Sequence, residues 1–277
     1  MQKTFQLIKY SRSSEKLWIK MGRQYPDPES VQGIMELALL KFKSENYPAV
    51  NLSSRTDGGV HALNTSAHID LVPRSGAKLF HQDTIPYELN KYFLKRDISI
   101  FVKEAIRVNN DFSARRNAIS RTYLYRPKQF DIEKFKEAAK YFEGYHDFTT
   151  FKKFDKLKQH KHNRRYIYSI NVRPGQPIVT SYTNTQTRNF DYWDVEIKGH
   201  SFVHNQIRRM VGSLITVASG KIEPKDIKLM LQIPSKHSWI SQITSIPPNG
   251  LYLCNVEYKP DDLIYNSKND NEIVSGN

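Results

Sequence analysis

The chain has 277 residues, 39% of them hydrophobic and 12% aromatic, a balance that supplies a core and excludes an intrinsically disordered protein. Its 42 Lys and Arg against 28 Asp and Glu leave a net charge of +14, which points to a polyanionic partner whose phosphates release counterions on binding. No apolar run approaches the roughly 18 residues of a membrane span. The single cysteine, Cys254, excludes a disulfide framework and a cysteine-based zinc site.

In chain order, the first ten residues alternate like a strand, which runs through Leu7 to Tyr10, and carry no signal-peptide or transit-helix pattern. Asp27-Pro28 has the form of a helix start, and Val31, Ile34, Met35, Ala38 and Phe42 then make one apolar helical face. Ala49 to Leu52 and Thr65 to Leu71 read as strands on either side of a Gly-Gly loop. Residues 83–95 read as a helix and Ile98 to Val108 as a strand. The second half follows a similar plan. Ile119 to Arg126 is a strand, and Asp131 to Glu143 a helix stopped by Gly144. Tyr166 to Val172 and Phe190 to Lys198 are strands. Ser201 caps a helix ending at Gly220, Pro224 to Leu231 is a second helix, and Leu251 to Tyr258 closes the pattern as a strand. The expected class is α+β, with an N-terminal half over 1–112, a C-terminal half over 113–260 and a disordered tail over 261–277.

Three segments carry the chemistry. Ser54-Arg55-Thr56-Asp57-Gly58-Gly59-Val60-His61-Ala62 is by itself a turn, because Asp-Gly-Gly supplies a positive φ. Asp111-Phe112-Ser113-Ala114-Arg115-Arg116 is followed by Ser120-Arg121-Thr122-Tyr123-Leu124-Tyr125-Arg126. Phe202 to Gly212 reads Phe-Val-His-Asn-Gln-Ile-Arg-Arg-Met-Val-Gly. In order and spacing these resemble the three signatures of the TruA-type tRNA pseudouridine synthases, G-R-T-D-A-G-V-H-A, D-F-x-A-R…R-x-Y-x-Y and F-x-x-x-x-V-R-x-x-V-G. The likeness runs from about Gln32 to Tyr258 and is greatest to the animal pseudouridine-synthase-like 1 branch, which acts in mitochondria.

The resemblance implies a pseudouridine synthase fold: two pseudo-duplicated, ferredoxin-like halves sharing an extended mixed sheet, with an RNA-binding cleft. It implies that Asp57 is the catalytic carboxylate, that Arg208 pairs with it, that Tyr123 stacks on the target base and that Arg55 helps open the RNA. It also implies tRNA as partner, with uridines of the anticodon arm (positions 38–40) as the target class. Other structured RNA and a homodimer are compatible with it, and it implies a mitochondrial address. Without a transit peptide, a cytoplasmic or nuclear one stays open. Departures lie at Lys9 to Pro28, which lacks the family's Gly-rich loop, in the short connection from Arg126 to Asp131, and at Ser54 and Gly58, where the family has Gly and Ala.

The residue types suit that chemistry. Breaking the N–C glycosidic bond of uridine, turning the uracil and forming a C–C bond requires a carboxylate and a grip on the base, but no redox cofactor or ATP. A neighbouring guanidinium favours the charged form of a carboxylate and can hold it bidentately. The target base must leave its stack, and an aromatic face can receive it. Tyr125, on the same face as Tyr123, reads as core packing, and His61, opening a strand, as structural or RNA-facing and not catalytic. RNA-facing candidates are Arg55, His61, Arg115, Arg116, Arg121 and Arg209, with Lys152, Lys153, Arg164 and Arg165 of a polar connection from Phe151 to Arg165. His160 and His162 lack acidic or Cys companions for a metal, and no P-loop or dinucleotide fingerprint occurs. No cofactor, metal or membrane is expected. Two other readings are an RNA-binding or RNA-chaperoning relative without turnover and a glycosidase, the latter disfavoured by the presence of one prominent acid instead of two.

Overall fold

The computed structural model describes residues 3–7, 30–76, 80–128, 130–153, 162–175 and 192–265. Its described strands form two sheets, of order β2-β4-β1-β5 and β3-β10-β6-β9-β8-β7. The class is α+β, as expected, and the described strands fall into a four-stranded and a six-stranded sheet. The chain divides into two compact units, one made of Met1–Arg55, Ala62–Ile119 and Asn255–Asn277, the other of Thr56–His61 and Ser120–Cys254. The Asp57 loop thus belongs with the later residues.

In the first unit, strand β1 (Lys3–Leu7) is parallel to both β4 (Thr65–His68) and β5 (Ile100–Ala105), and β2 (Asn51–Leu52) is antiparallel to β4. The first strand is expected from Leu7 onwards, whereas β1 ends there; Tyr10 lies outside the described residues. Helix α1 (Val31–Leu39) is capped by Ser30, whose Oγ accepts from Gly33 N at 3.1 Å. Asp27 and Pro28 also lie outside the described residues. Met35, Ala38 and Leu39 bury one stripe of α1, and Ile85, Leu89 and Phe93 of helix α2 (Thr84–Leu94) repeat every four residues on the same core. Ile100 and Val102 of β5 point into it while Phe101 and Lys103 face out. On this edge strand the Asn90 amide satisfies both backbone groups of Val102, each at 2.8 Å.

The segment after β5 packs Val108, Phe112 and Ala114 against Tyr258 and Leu263. Tyr258 Oη donates to Ala114 O at 2.6 Å, and His68 Nδ1 accepts from Ala114 N at 3.1 Å. The expected tail therefore begins later than 261. Pro260–Leu263 is a 3-10 turn, and the Arg107 guanidinium lies 3.8 Å from the Tyr265 ring centre. Asn266 to Asn277 lie outside the described residues.

The second unit is built on β6 (Ser120–Tyr125), β7 (Gly144–Asp147), β8 (Arg164–Pro174) and β9 (Trp193–Gly199), joined by antiparallel ladders, with β10 (Leu251–Glu257) and β3 (His61–Ala62) completing the sheet order. Strand β7 has no forecast in the sequence, and β8 starts two residues before Tyr166. Arg164 and Arg165 lie in β8 and not in a loop because they pair with Asp147 and His146. Helices α3 (Ile132–Ala139), α4 (Gln206–Ala218) and α5 (Pro224–Gln232) pack beside one another. Asp131 caps α3 through Oδ1, which accepts from Glu133 N and Lys134 N, and Pro224 stands in the first turn of α5. Phe135, Phe142, Phe148 and Phe151 are fully buried, and Phe142 meets Phe151 edge-on at 4.9 Å.

Arg126 and Asp194 form a buried pair in this unit: Nε lies 2.8 Å from Oδ1 and Nη2 donates to Oδ2 at 3.4 Å, with Asp194 only 3% exposed. Replacing one partner leaves the other charge buried and unmatched. Arg126→Ala is expected to lower unfolding stability by about 3 to 5 kcal/mol, measured by denaturant titration, and the double variant with Asp194→Ala to recover much of it. Cys254 is half-buried, and burial first and the nearby Glu196 second push its thiol up to about 11. A native-state thiol titration at pH 8 is expected to be slow and to become fast on unfolding. Because the folded pKa lies above the ordinary value, this group leaves stability unchanged at neutral pH and lowers it as pH climbs from about 9 towards 11.

Candidate active site

The loop bearing Asp57 closes through Val60 N donating to Asp57 O at 3.1 Å, with Gly59 at φ 81 as the residue that needs a positive φ. A Cβ on Gly59 would also stand 3.0 Å from Pro248 Cγ. Gly58, by contrast, has open space where a Cβ would stand, so the family's Ala would fit there. Ser54 lies outside the left-handed region, so its backbone does not require the family's Gly.

Helix α4 supplies the cations. The expected start of this helix is Ser201; the structure starts it at Gln206, because Asn205 takes a left-handed φ of 60 and cannot continue a helix backwards. Arg208 therefore lies in the first turn. Its Nη1 is 3.5 Å from Asp57 Oδ2, while its Nε donates to Ile246 O at 2.8 Å and Nη1 to Asn205 Oδ1 at 3.3 Å. The expected bidentate grip is thus a single, long contact. The rest of the fork is used to anchor the guanidinium to the protein.

Gly212 explains part of this geometry. A Cβ there would lie 2.2 Å from Thr244 O, so only glycine lets α4 approach the 244–246 segment. That segment is the one Arg208 grips, and Ile246 N returns a bond to Arg208 O at 3.2 Å.

His204, which has no role in the sequence analysis, sets Nε2 3.4 Å from Asp57 Oδ1. Asp57 at 25% exposure, Arg208 at 18% and His204 at 48% form a half-open site with the carboxylate between two basic groups.

Tyr123 and Tyr125 share one face of β6 and are both buried, at 7% and 6% exposure. Tyr123 meets Phe202 edge-on at 5.3 Å. Burial raises the phenol pKa of Tyr125, and the Arg208 charge offsets part of that rise. Its ring fits against Gly250, where a Cβ would stand 2.8 Å from Cε2. Tyr123, expected to receive the base, and Tyr125, expected as core packing, thus both lie in the buried face of β6, and period-two spacing does not rank them.

The RNA-facing candidates separate by exposure. Arg121 is 5% exposed and donates through Nη1 to His200 O at 2.6 Å, so it holds the sheet and presents no charge to solvent. Arg209 lies 3.6 Å from the Trp239 ring centre, and burial lowers its pKa. His61 stacks on Tyr252 at 5.0 Å. Lys152 is half-buried, Lys153 and Arg164 are exposed, and Arg165 folds its Nη1 onto the carbonyls of His162 and Arg164. On the first unit Arg55, Arg115 and Arg116 are exposed. His160 lies outside the described residues. Among the described residues no His, Cys, Asp and Glu cluster has metal-ligand spacing.

The site thus sets a carboxylate between an arginine in the first turn of α4 and an imidazole just before that helix. The family model described as tRNA pseudouridine synthase matches residues 138–259. The chain is 30% identical over 254 residues to the tRNA pseudouridine synthase-like 1 of Xenopus laevis, covering 84% of each. It is 33% identical over 256 residues to that of Homo sapiens, covering 82% of this chain and 81% of the relative. It is 31% identical over 251 residues to tRNA pseudouridine synthase A of Agrobacterium fabrum, covering 83% and 84%. The chain belongs to the TruA-type tRNA pseudouridine synthase family, a family of isomerases.

Proposed function

We propose that this chain isomerises uridine to pseudouridine in tRNA, with Asp57 as the catalytic carboxylate. The observation that carries the reading is the Asp57 carboxylate between Arg208 and His204 in a member of this family. In the proposed course, the base is extruded onto Tyr123 of β6, with Tyr125 packed beside it on the same face. The N1–C1′ bond breaks, the detached uracil turns, C5 bonds to C1′, and the C5 proton leaves as N1 regains one. No atom is gained or lost overall. Arg208, anchored on Ile246 and Asn205, holds the carboxylate in place while charge moves. Arg55, Arg115, Arg116, Lys152, Lys153 and Arg164, all of them exposed or half-buried, are proposed to contact the RNA backbone.

The target class proposed is the anticodon arm, and the address proposed is the mitochondrion of the animal branch, which fractionation of cells expressing the full protein tests. No helix of the described residues is long and apolar enough to cross a membrane. The function is tested by mapping carbodiimide-reactive uridines in tRNA before and after incubation with pure protein. New reactive positions in the anticodon arm are expected. Binding without any new position would favour the RNA-chaperone reading.

A further inference from the structure

Three tyrosines stand in solvent on the β7–β8 ladder, Tyr145 at 57% exposure and Tyr166 and Tyr168 at 46% each. Tyr145 and Tyr166 are directly opposed in the antiparallel register. Tyr168 lies beside Tyr166 across a register irregularity in β8, with ring centres 5.1 Å apart. Ile167 between them is fully buried on the opposite face. Strand β8 shifts register between Ile167 and Ser169, and the exposed side of the ladder carries aromatic rings where polar residues are the norm.

The ladder carries a cation on this face. Arg164 is exposed, shares the tyrosine face and has no side-chain partner among the described residues. Lys153 and His162 are also exposed. The acid paired with Arg164 across the ladder, Asp147, is turned into its own turn, where Oδ1 accepts from Thr149 N at 2.9 Å and from Thr149 Oγ1 at 2.6 Å. An open cleft of about 310 Å³ lined by Tyr145, His146, Asp147, Arg164, Leu231, Gln232 and Pro234 adjoins the ladder, with the Asp147 carboxylate engaged by Thr149. A second copy of this chain would bring the same basic charge to the face. An unpaired stretch of RNA brings phosphates for Arg164 and free base faces for the rings.

We propose that Tyr145, Tyr166 and Tyr168 form a stacking platform for unpaired nucleotides of the RNA substrate, apart from the Asp57 site, with Arg164 on the adjoining phosphate. The proposal rests on the RNA-modifying reading above for its choice of partner. Bases within a duplex are already stacked on one another, so the platform selects single strands.

The test compares a triple Tyr145→Ser, Tyr166→Ser, Tyr168→Ser variant with the triple Phe variant, which keeps the rings. Affinity is measured for a labelled ten-nucleotide oligouridylate and for a blunt RNA duplex of equal length. The Ser variant is expected to lose about tenfold or more on the single strand and less than about twofold on the duplex, and the Phe variant to match wild type. The salt slope of the Ser variant should equal that of wild type, whereas Arg164→Ala should flatten it by roughly 0.7. Should the triple Ser chain fail to fold, Tyr145→Ser alone is expected to lose about fivefold on the single strand. Unchanged single-strand affinity in the folded Ser variants overturns the proposal. So does conversion of a dimer to a monomer in sedimentation with RNA affinity intact, which would make the face a self-contact. Because binding is read without turnover, a chain that binds through these rings yet leaves tRNA unmodified counts against the activity and not against the platform.

Discussion

Asp57→Ala is expected to abolish pseudouridine formation, with a loss of roughly a thousandfold or more in kcat, while tRNA affinity stays within about threefold. The reason is positional. Among the described residues the Asp57 carboxylate meets Arg208 and His204, at 3.5 and 3.4 Å, and it lies in a turn whose shape is set by its backbone and by Gly59. Removing the carboxylate therefore takes away the group proposed to react without disturbing the loop, and deletes a negative charge that would repel phosphate. Asp57→Asn, which keeps size and hydrogen bonding, should be equally inactive, since an amide is neither nucleophile nor counter-charge. Single-turnover assays on saturated enzyme check this. Turnover at a tenth of wild type or better in either variant would remove Asp57 from the chemistry.

Arg208→Ala should lower kcat by about a hundredfold, in the range found when a fixed charge-stabilising donor is removed. The contact to Asp57 is long and single, so the residue's worth lies in how firmly it is held. Nε on Ile246 O and Nη1 on Asn205 Oδ1 fix the guanidinium plane before substrate arrives. Lysine keeps the charge but cannot satisfy both acceptors and reach the carboxylate, so Arg208→Lys should recover only a small part. Gly212→Ala offers an independent check. A methyl group 2.2 Å from Thr244 O must push the 244–246 segment away and carry the Ile246 anchor with it. That variant should lose kcat although it touches neither Asp57 nor Arg208. If Arg208→Lys matches wild type, anchoring is not what this arginine contributes.

Much of the molecule is legible from local rules. Helix α2 and helix α5 follow from apolar spacing and a terminal Pro, Gly220 ends the stretch after α4 at φ 72, and β5, β6 and β10 follow from alternation. These features depend on residues close in sequence, and backbone sterics and side-chain periodicity act at that range. The start of α4 escapes such rules because Ser201 is a good cap in isolation. The left-handed turn at Asn205, stabilised by nothing that a cap rule describes, moves the helix start to Gln206.

The family, the acid Asp57 and the helix that brings Arg208 can all be read from residue order, because each is a short string whose residue types the chemistry restricts. Which neighbours those residues have is a matter of tertiary packing. The fold brings His204 to Asp57 across more than a hundred residues, packs Tyr123 on Phe202 and Tyr125 on Gly250, and buries Arg121 under His200 O. It also draws Arg164 and Arg165 out of an expected loop into β8. In each case the deciding contact lies between segments apart in the chain. A period of two places a tyrosine on a face and a count of charges makes a surface basic, but what packs against that face is set by the partner strand and helix.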